Sequence, residues 1–164
     1  MSADGKTPRL DELDVKIIKE LQLNARISFR ELSKKLGVSV TTVSERVRKM
    51  VKSGLIKGFT TLVDPEKVGP LYCVALYIKV NPGFDSKSVG REVASVKGVC
   101  YVYSTVGVYH LIALGSAPTK EELTKLIADV SSIKGIADVT PSMILETIKE
   151  DPKHPVTPFV SSNK

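Results

Sequence analysis

At 164 residues the chain is long enough for one medium domain or two small ones. Its 42% hydrophobic and 26% charged residues are the balance of a globular protein in water, and no apolar run approaches the roughly 18 residues of a membrane span. The opening MSADGKTPRL lacks the apolar centre of a secretory leader, so a cytosolic (cytoplasmic) protein with no membrane partner is expected.

The net charge of +6 is concentrated rather than spread. Between Ser28 and Lys57 stand eight basic residues, Arg30, Lys34, Lys35, Arg46, Arg48, Lys49, Lys52 and Lys57, against two acids, Glu31 and Glu45. That surplus equals the whole chain's, whereas residues 70–164 hold ten basic and nine acidic groups. One segment therefore carries the field that attracts polyanions. A solvated charged face is the ordinary explanation of such a run, and the pattern beneath the charges decides against it.

Asp11 to Asn24 reads as a first helix, with Leu13, Ile17, Ile18 and Leu21 at helical spacing and acids in the first turn. A second helix opens at Ser28, with Glu31 three residues on as in a capping box. Phe29, Leu32 and Leu36 form its expected buried stripe, and Gly37 stands where a left-handed terminal residue is wanted. Ser39 caps a third helix running to Ser53, with Val43, Val47 and Met50 inward and Gly54 closing it. Two short helices joined by a tight Gly-containing turn are a helix-turn-helix. Leu55 to Val63, rich in β-branched and aromatic residues, reads as an extended connector or wing. Asp64-Pro65 and Gly69-Pro70 punctuate the boundary.

The second half changes character. Tyr72–Val80 reads as a strand with Val74, Leu76, Ile78 and Val80 on one face, and Asp85–Lys97 as a helix burying Val89, Val93 and Val96. Val99–Val106 and Val108–Leu114 read as a hairpin about Gly107. Thr119–Ile133 is a helix carrying Leu123, Leu126, Ile127 and Val130, and Ile136–Ile148 is mostly strand. The order β-α-β-β-α-β is the ferredoxin-like split motif. The expected fold is therefore α+β, a winged helix-turn-helix domain over 9–63, a linker over 64–71 and a ferredoxin-like domain over 72–149. A flexible Pro-rich tail is expected over 150–164. Both helices on one side of a four-stranded sheet leave the other face bare. That face is apolar through Cys73, Ala75 and Tyr77, which asks for a partner, most simply a second copy of the chain.

Residue chemistry argues against an enzyme. Cys73 and Cys100 fall in strand-like runs and are expected as buried reduced thiols. With His110 and His154 as the only histidines, no spacing suits a metal. There is no G-x-S-x-G, P-loop or G-x-G-x-x-G, so no catalytic residue and no cofactor are expected.

The N-terminal residues resemble the Lrp/AsnC (feast/famine) family of prokaryotic and archaeal transcriptional regulators. The match runs through Leu10-Asp11, Asp14, Leu21-Gln22, Asn24-Ala25-Arg26, Ser28, Glu31-Leu32 and Gly37-Val38-Ser39. It continues through Thr42-Val43, Arg46-Val47, Gly54-Leu55-Ile56, Gly58-Phe59, Val63-Asp64-Pro65 and Gly69. The C-terminal half is similar mainly in element order. The resemblance implies a DNA-binding regulator with an effector and oligomerisation domain, over about residues 9–149. Family members that sense amino acids commonly carry Thr-Gly-x-Tyr-Asp in the central hairpin. Here the stretch is Thr105-Val106-Gly107-Val108-Tyr109-His110, and imidazole replaces the carboxylate that would pair with a ligand ammonium. The candidate effector residues are Thr105, Gly107, Tyr109 and His110. The resemblance adds Gly135.

With Val43, Val47 and Met50 inward, Val40, Thr41, Ser44, Glu45 and Arg48 lie outward on the third helix. Thr41 and Ser44 can bond either base type, Val40 can touch a thymine methyl, Arg48 can fork onto guanine, and Glu45 can accept from cytosine. Arg46, Lys49, Lys52 and Lys57 suit phosphates, and the capping residues Ser28 and Ser39 complete the DNA-binding set. The expected function is a sequence-specific transcriptional regulator that binds pseudopalindromic double-stranded DNA as a homodimer or higher homo-oligomer, with a small-molecule effector of unspecified identity. Two rivals are an architectural protein that coats DNA with little sequence preference and a small enzyme on a ferredoxin-like scaffold.

Overall fold

The computed structural model describes residues 10–64 and 67–149, in two compact units that meet in sequence at Leu62–Val63. Pro65 and the expected tail over 150–164 lie outside the described residues, as does most of the opening stretch.

The first unit holds three helices, α1 (Glu12–Leu23), α2 (Phe29–Leu36) and α3 (Val40–Lys52). Each begins where a short polar side chain satisfies backbone amides of the first turn, which the helix itself leaves without partners. Asp11 accepts from the Asp14 amide at 2.9 Å, and the Asp14 carboxylate accepts the Asp11 amide in return. Ser28 and Glu31 make the same reciprocal box on α2, and Ser39 accepts from the Thr42 amide at 3.0 Å on α3. Gly37 ends α2 at φ +67°, a left-handed conformation costly for a residue with a Cβ. Ile17, Ile18, Leu21, Leu32, Val43, Val47 and Met50 form the shared core. Phe29 is not part of it. As the first residue of α2 it sits at the end of the apolar stripe and is partly exposed, while Leu32 one turn on is fully buried.

Leu55–Val63 forms no strand. Its composition is strand-like, but among the described residues of this unit no neighbouring strand supplies a hydrogen-bonding ladder, and Phe59, Leu62 and Val63 are exposed.

The second unit contains β1 (Tyr72–Val80), α4 (Ser86–Ser95), β2 (Val99–Ser104), β3 (Leu111–Ala117), α5 (Lys120–Ser131) and β4 (Ile136–Ile144). The sheet order is β2-β3-β1-β4, with every neighbouring pair antiparallel. α4 and α5 bury Val89, Val93, Leu123, Leu126 and Val130 against Val74, Leu76, Ile78, Leu111 and Ala113. The period-2 alternation of β1 and β3 shows in their burial, since every second residue is fully covered by helix. The other face carries Cys73, Ala75 and Tyr77 of β1, Ile112 and Leu114 of β3, Tyr101 and Tyr103 of β2, and Ile144 of β4.

The hairpin differs from the sequence expectation. The strands stop at Ser104 and resume at Leu111, so Gly107 sits inside a six-residue loop, Thr105–His110, rather than in a tight turn. β4 ends at Ile144, earlier than the expected Ile148. Cys73 is half-buried, and burial raises its thiol pKa, whereas Cys100 is exposed. The expectation of two buried thiols is met at neither position: Cys73 lies on the sheet face that the helices leave open, and Cys100 falls where the β2 pairing shifts between Val99 and Tyr101, which leaves it without a register partner on β3.

Candidate nucleic-acid interface and effector loop

α3 turns Val43, Val47 and Met50 into the core and leaves Val40, Thr41, Glu45, Arg48, Lys49 and Lys52 exposed, with Ser44 half-buried beside them. The caps Ser28 and Ser39 are exposed at the starts of α2 and α3, with their hydroxyls in local bonds to Glu31 and Thr42. Lys57 is exposed in the connector. Arg48, Lys49, Lys52 and Lys57 make no ion pair among the described residues.

Arg46 is placed differently. Its guanidinium donates to the carboxylates of Asp11 and Asp14, the latter at 3.2 Å, and so ties the middle of α3 to the capping box of α1. The Asp14 amide holds the Asp11 carboxyl below its usual pKa, and Arg46 adds to that shift. Sequence spacing gave no sign of this partnership, because Asp11 and Arg46 are 35 positions apart. Lys35, counted with the basic run, is likewise paired with Glu20 of α1.

In the second unit the candidate effector residues gather around the end of β1. The Thr105 hydroxyl donates to the Tyr109 carbonyl at 2.8 Å, and the Thr105 amide donates to the His110 carbonyl at 3.0 Å, closing the loop that carries Gly107. Tyr109 packs on Tyr77 with ring centroids 5.3 Å apart, and the Lys79 ammonium lies 5.6 Å from its ring. His110 is bound to β1 twice. Its amide donates to the Ile78 carbonyl at 2.9 Å, and its Nδ1 accepts the Val80 amide at 2.8 Å. The next amide along, that of Asn81, donates to the Gly135 carbonyl at 2.8 Å. Gly135 thus reaches the same strand end from the β4 side. Its φ is +97°, and a Cβ there would stand 2.5 Å from the Phe84 ring, so a larger residue would strain the backbone and displace that ring. An open apolar cavity of about 440 Å³ lies elsewhere in the unit, against Val63, Val68, Pro70, Leu71 and Pro118. The residues missing from the sequence expectation are Ile78 and Val80, plain strand residues that act here through their backbone, and Asn81 just past the end of β1, whose backbone amide meets Gly135 and whose side-chain amide donates to the Ile136 carbonyl at 3.2 Å.

Among the described residues no helix is long and apolar enough to cross a membrane, and no group of His, Cys, Asp and Glu could hold a metal.

Comparison with known proteins agrees with both halves. Residues 10–57 match the winged helix-turn-helix DNA-binding model, and residues 73–154 match the Lrp/AsnC ligand-binding domain. An uncharacterized HTH-type transcriptional regulator of Pyrococcus abyssi is 36% identical over 142 residues, covering 87% of this chain and 96% of the relative. The HTH-type transcriptional regulator FL11 of Pyrococcus horikoshii is 35% identical over 147 residues, covering 90% and 97%. Among solved structures, AsnC of E. coli superposes with a TM-score of 0.78 at 26% identity, covering 89% of this chain and 99% of that one. The leucine response regulatory protein of Mycobacterium tuberculosis gives 0.80 at 25% identity, covering 88% and 99%. The chain, with its helix-turn-helix followed by a ferredoxin-like domain, belongs to the Lrp/AsnC family, whose members are DNA-binding transcriptional regulators and not enzymes.

Proposed function

We propose that this regulator lays α3 in the major groove of double-stranded DNA and reads two half-sites of a pseudopalindrome as a homodimer or higher homo-oligomer. The observation that carries this reading is the free cationic face of α3. Arg48, Lys49 and Lys52 are exposed and, among the described residues, unpaired, on the same helix as the hydroxyls of Thr41 and Ser44, while Arg46 and Lys35 are held by carboxylates of α1 and its N-cap. Arg48 suits the O6/N7 edge of guanine, Thr41 and Ser44 suit either base type, and Val40 suits a thymine methyl. Lys49, Lys52 and Lys57 suit phosphates, which position the helix without reading sequence.

A second copy is the partner that the uncovered sheet face favours. Tyr101 and Tyr103 are more than half exposed there, stacked at 6.2 Å between centroids, and Leu114 and Ile112 lie between β2 and β1. An apolar face of this kind in a two-fold pair buries itself against its own copy. For the effector, the His110 substitution favours a ligand other than a neutral α-amino acid. The position offers no carboxylate to an ammonium group, and Nδ1 is already engaged by Val80.

The test compares two substitutions on operator and random DNA. Arg48→Ala should cost about 1–3 kcal/mol on the operator and little on random sequence. Lys49→Ala should weaken both and flatten the dependence of log K on log salt by about 0.9 per protomer. Equal losses on both DNAs would move Arg48 to the phosphate class, and an unchanged slope would remove Lys49 from it.

A further inference from the structure

Most carboxylates of the helix-turn-helix unit have a visible structural task. Asp11 and Asp14 cap α1 and hold Arg46, Glu20 pairs with Lys35, and Glu31 closes the box on α2. Glu12 lies in the first turn of α1, where the helix dipole favours a negative charge. Glu45 has no such task. It is exposed in the interior of α3, past the first turn, and makes no hydrogen bond or ion pair among the described residues. Arg48 and Lys49 stand three and four positions on, the spacings at which helical charges meet, yet neither pairs with it. Glu45 is one turn from Thr41 and almost one turn from Arg48, on the side away from Val43 and Val47.

A carboxylate in that place opposes binding to phosphate, so it does not serve affinity. It serves discrimination if a base edge can satisfy it. Cytosine presents an N4 amino donor in the major groove, whereas guanine and thymine present carbonyl oxygens, and adenine sets an N7 acceptor beside its donor. We propose that Glu45 is a specificity residue of this regulator, accepting the N4 amino group of one cytosine per half-site and repelling DNA that offers no donor there. This rests on the reading of α3 as the base-reading helix.

The experiment selects duplexes from a random pool with the full chain and with Glu45→Gln. Affinities for the selected and random duplexes and the thermal midpoints are then measured. The wild-type chain is expected to enrich a cytosine at one position of each half-site. Glu45→Gln should lose that preference, with roughly tenfold less discrimination at the position. It should also bind random DNA about fivefold tighter, the factor for removing one like charge about 4 Å from a phosphate in water. Its midpoint should not move. Unchanged selection and unchanged random affinity would overturn the proposal, as would a uniform loss of binding with a lowered midpoint. A wild-type chain that enriches no sequence would overturn this proposal and the base-reading role of α3 together, whereas the first two outcomes leave that role standing.

Discussion

The imidazole of His110 has one nitrogen committed to the backbone of β1. Nδ1 accepts the Val80 amide at 2.8 Å, so the ring proton of the neutral form sits on Nε2. A backbone amide at a strand end wants an acceptor, and an Asp in this position could serve the amide while keeping a negative charge for a ligand. The histidine serves the amide alone. Calorimetry with the twenty amino acids should therefore show no micromolar binding of a neutral amino acid to the wild-type chain. His110→Asp should create such binding while leaving the fold intact. Micromolar binding of leucine to the wild-type chain would show that the site works without its carboxylate. The sequence singled out His110 by its departure from a family pattern. It could not show the partner, because Val80 lies 30 positions away and acts through an amide every residue possesses.

Between elements, the tie from α3 to α1 is the strongest departure from expectation. Arg46 was expected on a phosphate, yet it donates to Asp11 and Asp14. The pair joins α3 to the start of α1. Arg46→Ala should lower the unfolding midpoint by a few degrees, because a partly exposed pair contributes about 1 kcal/mol or less. It should weaken operator and random DNA alike, and Arg46→Lys should restore part of the midpoint. A normal midpoint with a reduced salt slope would return Arg46 to the phosphate. The same cluster sets an acid dependence. The folded Asp11 pKa lies below its unfolded value, so its contribution is complete above the ordinary carboxylate range. That contribution is lost as pH falls through the depressed value. Acid unfolding monitored by circular dichroism should accordingly begin at higher pH in Arg46→Ala, which loses part of that depression.

Element starts were legible because caps are local. Ser28 with Glu31, and Ser39 with Thr42, act within one turn. The hairpin limits were not. Gly107 resembles a turn residue, but the loop around it is closed by Thr105 bonds and by anchoring of His110 on β1, a strand some thirty residues earlier. Of the two readings offered for Leu55–Val63, the described residues form the extended connector and no strand: a strand needs a ladder, and strand-like composition does not say whether one is present.

At the scale of the whole chain, the charge surplus belongs to residues 28–57, and the uncovered apolar sheet face belongs to the second unit. On the proposed reading, one surface draws DNA and the other a copy of the chain. Leu114 lies near the middle of that sheet face, opposite Ala75 on β1 and Tyr101 on β2. Leu114→Asp should keep the secondary structure but sediment as a monomer at micromolar concentration, where the wild-type chain should sediment as a dimer or larger. It should also bind operator more weakly, through the loss of the second half-site. A wild-type chain that sediments as a monomer would contradict the assembly.

The most direct test of sequence-specific binding is competition. Labelled operator, obtained by selection, is bound to the full chain at near-physiological salt and challenged with unlabelled operator or unlabelled random duplex. The unlabelled operator is predicted to displace the label at concentrations about a thousandfold or more below those the random duplex requires. Equal displacement by the two duplexes would contradict the account and identify the protein as one that coats DNA without reading it.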